Sequence, residues 1–104
     1  MAFTTYTFTL NYGKFEEYFI ERRPMPDMYG VQYIFKFPNN YGASVIKHKH
    51  SAGYEKDMWE VGVTRWYTDG SSNLVYDTPV ASDVIGYCTD EDVQRILESI
   101  MNLP

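Results

Sequence analysis

The sequence predicts an α+β fold: an antiparallel sheet of about five strands, meander-like, with one C-terminal amphipathic helix packed on one face. Three observations predict it. Val31-Gln32-Tyr33-Ile34-Phe35-Lys36-Phe37 alternates at period two, with Val31, Tyr33, Phe35 and Phe37 on one face. Pro38-Asn39-Asn40-Tyr41-Gly42 then supplies turn chemistry, and Ala43 to His50 is extended again, so the two runs make a hairpin. Near the C-terminus the period changes: Val93, Ile96, Leu97 and Ile100 recur at helical spacing.

The elements follow in chain order. Residues 4–10 read as a half-buried strand, with Tyr6, Phe8 and Leu10 facing one way and Thr5, Thr7 and Thr9 the other. Tyr12-Gly13-Lys14 breaks it. Residues 15–23 fit a helical face as well as a strand; the expectation is a strand to about Arg22, ended by Pro24 and Pro26. Ser51 to Lys56 is a polar loop. Met58 to Tyr67 is a strand with Trp59, Val61 and Val63 on one face and Glu60, Gly62 and Thr64 on the other. Thr68-Asp69-Gly70-Ser71-Ser72 is a turn, and Asn73 to Asp77 a short strand. Thr89 is the expected N-cap of the last helix, with Asp92 closing a capping box, and Leu103-Pro104 ends it.

Size and composition bound the function. A chain of 104 residues is expected to form one domain, residues 1–104, with one core. The net charge of −5 argues against direct nucleic-acid binding, because such proteins present a basic face. No apolar run approaches a membrane span, and the first residues lack a signal-peptide pattern, so the expected location is the cytoplasm. One cysteine, Cys88, excludes an internal disulfide. Ten Tyr, six Phe and two Trp are many rings for one small core, so some are expected to stay available to a partner. The residues expected at that contact are drawn from Tyr29, Tyr33, Tyr41, Tyr54, Trp59, Trp66 and Tyr67.

Few residues carry chemistry. His48 and His50, two apart on an expected strand, would share one face, and a metal would take Glu60 or Asp57 as a third ligand. Against it stand the flanking Lys47 and Lys49, whose charges disfavour a cation. Cys88 sits just before a helix N-terminus, which lowers a thiol pKa, but Asp90, Glu91 and Asp92 oppose that shift. No nucleotide, hydrolase or metalloprotease motif is present, and no cofactor is implied. Arg22, Arg23 and Lys47 are the obvious groups for a phosphate-bearing ligand in a Tyr-lined groove between protomers.

The run from Tyr29 through Ile46, with Trp59-Glu60-Val61, Leu74-Val-Tyr-Asp-Thr-Pro-Val80 and Asp83-Val-Ile-Gly86, resembles a group of short uncharacterised proteins encoded by tailed bacteriophages. The resemblance covers residues 29–104. It implies an accessory protein acting in the host cytoplasm and carries no catalytic or binding residues with it. By analogy the expected function is non-enzymatic: protein–protein interaction with a host protein, as an inhibitor of a host or defence factor. The alternatives are a small metal-binding domain or metal-dependent enzyme built on His48 and His50, and a minor virion or assembly component. An exposed edge strand would also allow a homodimer.

Overall fold

The computed structural model describes residues 8–104. Six strands and one α-helix form two layers among the described residues, as expected. The strands are β1 (Phe19–Met25), β2 (Gly30–Lys36), β3 (Tyr41–Lys47), β4 (Trp59–Trp66), β5 (Ser72–Leu74) and β6 (Ile85–Cys88), and the helix is α1 (Asp90–Met101). All pairings are antiparallel. Strands β1 to β5 run as a meander, and β6 joins the edge of β4 beyond β5.

Register explains which side chains are inside. Tyr33 lies opposite Val45, and Val45 opposite Val61; Phe35, Ala43 and Val63 form the next row. These residues are buried on one face, where Val93, Leu97 and Ile100 of α1 meet them together with Leu10 and Phe15. Two polar contacts fix the helix over the sheet. Trp59 Nε1 donates to Asp90 Oδ1 at 2.9 Å at its start. At its end Asn39 Nδ2, from the β2–β3 turn, faces the carbonyl oxygens of Ile100, Met101 and Leu103 at 2.9–3.1 Å. The Ile100 oxygen also accepts from the Leu103 N–H at 3.1 Å, and the turn adds a side-chain donor where the last helical carbonyls lack the usual one. The Thr89–Asp92 capping box is present.

The structure corrects several expectations, among them the strand expected over Asn73 to Asp77, which is Ser72–Leu74. Residues 13–18 form a 3-10 helix (Gly13–Tyr18), and the strand begins only at Phe19. Pro24 does not stop that strand: it pairs opposite Val31 within β1, at the sheet edge where a missing N–H costs least. Residues 85–88 are a strand where none was expected, because Ile-Gly-Tyr-Cys is too short to show a period. Strand β3 ends at Lys47, which places His48 and His50 in the following loop. Of the strand expected over residues 4–10, residues 4–7 lie outside the described residues and 8–10 are irregular backbone.

Edge strand β1 offers poor ground for a second strand. Its register shifts between Phe19 and Glu21, and Pro24 interrupts the row of donors. The edge pairing that would make a homodimer therefore lacks an unbroken ladder. Among the described residues no helix is long and apolar enough to cross a membrane.

Candidate functional site

Alternation puts a second set of side chains on the sheet face away from α1. Gln32 and Ile34 come from β2, Ser44 and Ile46 from β3, and Glu60, Gly62, Thr64 and Trp66 from β4. Leu74 and Val84 lie over Gly62 on this face, and Gly62 and Thr64 are buried there. A groove of about 500 Å³ crosses it from β1 to β5, walled by Ile20, Ile34, Trp66 and Leu74. Four inter-strand spacings make it about 19 Å long. Ile20 is 49% exposed and Leu74 45%.

The floor is polar and partly bonded. Arg23 Nη1 donates to Gln32 Oε1 at 3.3 Å, and Gln32 Nε2 donates to Ser44 Oγ at 2.8 Å. This row runs diagonally over three strands. It stops before Thr64, whose Oγ1 has no hydrogen-bond partner, as is also true of Trp66 Nε1 among the described residues. Two glycines shape the far wall. A Cβ on Gly62 would meet Leu74 Cδ2 at 2.5 Å, so Leu74 lies over that residue. A Cβ on Gly42 would meet the Phe35 carbonyl oxygen at 2.1 Å and Trp66 Nε1 at 2.6 Å, so the indole lies over Gly42.

Of the residues expected at a contact, the structure brings only Trp66 to this groove. Tyr33 and Trp59 are core residues, 4% and 1% exposed, and are removed from the contact set. Their rings pack edge to face beneath α1. Tyr41 is half-buried, with its hydroxyl accepting from Arg65 Nη1 at 3.0 Å, and Tyr54 packs against Phe8. Tyr29 and Tyr67 are exposed but stand outside the groove, at opposite ends of the strands. Sequence reasoning missed Ile20, Ile34 and Leu74. The signal for Ile34 was legible, since Gln32, Ile34 and Lys36 are the second face of the central strand.

The metal expectation loses its geometry. His48 and His50 are loop residues whose ring centres stand 6.3 Å apart, and His48 Nδ1 accepts from the His50 backbone N–H at 3.1 Å. Glu60 Oε1 accepts from the Ala52 N–H at 2.8 Å, and Asp57 Oδ1 pairs with Lys47 Nζ at 2.8 Å. Among the described residues no three His, Cys, Asp or Glu side chains gather in a metal-binding group.

The remaining reactive groups are structural. Cys88 is buried, and burial pushes its thiol up to about 11, with Asp92 and Glu60 adding to the shift. That is the opposite of an activated nucleophile. Arg22 Nε donates to the Tyr33 hydroxyl at 3.1 Å and Nη2 to the Phe8 carbonyl at 3.0 Å, so this guanidinium serves the fold. Compared with family models, with curated proteins and with solved structures, the chain matches none.

Proposed function

We propose that this chain is a non-catalytic protein–protein interaction module, a bacteriophage accessory protein that binds a host protein in the host cytoplasm and inhibits it. The contact surface is the sheet face opposite α1. The observation that carries this reading is the groove walled by Ile20, Ile34, Trp66 and Leu74, in which Ile20 and Leu74 are exposed and Ile34 and Trp66 half-buried. Covering them is favourable by about 25 cal/mol for each Å² of apolar surface removed from water. The phage and host assignments are supported by the sequence resemblance over residues 29–104.

The test is capture followed by reconstitution. A tagged full-length chain is exposed to bacterial lysate, the retained protein is identified by mass spectrometry, and the complex is rebuilt from two pure components. Leu74→Ser and Ile20→Ser are expected to abolish the rebuilt complex, while Tyr87→Ala, on an exposed residue outside the groove, leaves it intact. A complex that survives both groove changes excludes this face as the contact.

A further inference from the structure

Strand β5 closes one side of the groove and is exposed along its whole length. Its hydrogen bonds to β4 alternate. The Val75 N–H donates to the Val63 oxygen at 2.9 Å, and the Ser71 oxygen accepts from the Tyr67 N–H at 2.9 Å. In the same register Arg65 lies opposite Asn73, Thr64 opposite Leu74 and Trp66 opposite Ser72. Antiparallel pairs alternate between bonded and non-bonded, so Asn73 is turned toward β4, while the N–H and C=O of Ser72 and Leu74 point away from it. The Trp66 N–H agrees, since it donates to Asn40 O, on the β3 side, at 2.7 Å. No strand lies beyond β5 among the described residues. The N–H and C=O groups of Ser72 and Leu74 therefore stand in a row at a sheet edge, without a partner among the described residues.

The other margins of the sheet are defended against strand addition. β1 carries a register shift, Pro24 and the charges of Glu21, Arg22 and Arg23. β6 contains Tyr87 at a φ of 57°, outside the extended range, and the Tyr87 N–H is already taken by the Ala52 oxygen at 3.3 Å. β5 has none of these devices. From Gly70 to Tyr76 the chain has no proline and no charge, and the pairing with β4 has no register shift. An exposed acidic residue brackets that stretch at each end, Asp69 before it and Asp77 after it. Hydrogen bonds from the Ser71 hydroxyl and N–H hold the Asp69 carboxyl below its ordinary value, so it stays ionised.

We infer that β5 is the docking edge for an extended segment of the partner, which adds to the sheet as a further antiparallel strand. The segment has an uncharged centre that alternates aliphatic and polar residues, and a basic residue toward each end. Its backbone bonds the free groups of Ser72 and Leu74. Directly paired residues share a face, so the partner side chain opposite Leu74 falls on the groove side, where an aliphatic group covers Leu74. The basic residues meet Asp69 and Asp77. A second copy of this chain fits the edge poorly. Two β5 strands paired antiparallel about Leu74 bring the Asp77 of each copy alongside the Asp69 end of the other, like charge against like. The inference rests on the open face as contact surface and deepens it by naming the shape and charge of what the partner presents.

The probe is a synthetic peptide blocked at both ends, Lys-Val-Thr-Val-Thr-Val-Lys, added to the isotope-labelled full-length chain. Binding is followed by NMR shifts and by amide hydrogen exchange. The peptide is expected to slow exchange at Ser72 and Leu74, whose amides exchange fast in the free chain. N-methylation of the Val residues, whose amides face β5 in this pairing, is expected to abolish binding, whereas N-methylation of the Thr residues leaves it. A peptide with Glu in place of both Lys is expected to bind about tenfold more weakly. Ser72→Pro removes an outward donor without breaking a bond of the fold. It is expected to weaken binding about tenfold, the factor for one lost hydrogen bond of ~1.4 kcal/mol, with the amide shifts of α1 unchanged. No protection of Ser72 and Leu74 at millimolar peptide, or equal binding of the two N-methylated peptides, overturns the inference. So does a dimer of the free chain in which both amides are already protected, because the edge then belongs to a second copy. A rebuilt complex that depends on Leu74 but tolerates Ser72→Pro leaves the contact face standing and removes only strand addition.

Discussion

The Lys47 ammonium lies 4.3 Å from the centre of the Trp59 ring and 2.8 Å from Asp57 Oδ1. A lysine that reads in the sequence as part of a basic cluster is thus an internal residue, 5% exposed, with the Phe8 ring at 4.7 Å. Its stem is buried and its charge meets two aromatic faces and one carboxylate. Truncation removes both packing and a desolvated cation–π contact of about 2 kcal/mol. Lys47→Ala is expected to destabilise the chain by roughly 2–3 kcal/mol. Lys47→Met refills the space and recovers most of that loss. Urea unfolding midpoints at constant m-value check both.

Thr64 gives a prediction of opposite sign. A buried hydroxyl without a partner costs roughly 1–3 kcal/mol. Thr64→Val exchanges it for a methyl of the same shape, so stability is expected to rise by about 1 kcal/mol. For a domain of this size that is a melting temperature higher by about 4–8 °C. Thermal unfolding of both proteins decides it.

The α1 capping box predicts a loss in acid. Hydrogen bonds from the Thr89 backbone and side chain hold the Asp92 carboxyl below its ordinary value, and Arg95 adds to the shift. The folded carboxyl has the lower pKa, so its stabilisation is present above the unfolded value and fades as pH falls through the folded one. Thr89→Ala is expected to cost about 1 kcal/mol near neutral pH. The Thr89 backbone N–H still donates to Asp92 in this variant, so the decline in stability below pH ~4 is expected to flatten only in part. Denaturant titrations of both proteins across acidic pH check the sign.

His48 gives a second, milder pH dependence. Burial lowers its pKa; Glu60 opposes the shift and His50 adds to it. The unfolded imidazole therefore binds a proton first as pH drops. Stability is full above the ordinary value of about 6.5 and declines from there toward the lowered folded value. Protonation would also remove the acceptor at Nδ1 that the His50 N–H uses. His48→Asn is expected to reduce the slope below pH ~6.5, which denaturant midpoints on the acid side of that value reveal.

The sheet was legible because its strands bury one face. Val31, Tyr33, Phe35, Val61 and Val63 announce themselves at period two, and α1 at its helical spacing with Thr89 as cap. The 3-10 helix (Gly13–Tyr18) was not legible, since Phe15, Tyr18 and Phe19 suit a helix and a strand alike. Pro24 misled because a proline ends most strands but is tolerated at an edge. The site was harder to see. Aromatic surplus pointed to rings, yet Tyr33 and Trp59 are consumed by the core, and the groove is walled mainly by Ile20, Ile34 and Leu74. Leu74 belongs there because Gly62, on the neighbouring strand, leaves it space, a cross-strand relation that pattern alone does not state. His48 and His50 looked like a shared strand face until β3 was seen to end one residue earlier.

The most direct measurement is methyl cross-saturation on the rebuilt complex, with the partner irradiated and the methyl signals of this chain observed. Saturation is expected at Ile20, Ile34 and Leu74, on the face opposite α1. Saturation centred on Ile96 and Met101, the methyl-bearing residues of α1 that are not fully buried, with Ile20, Ile34 and Leu74 unaffected, would contradict the account.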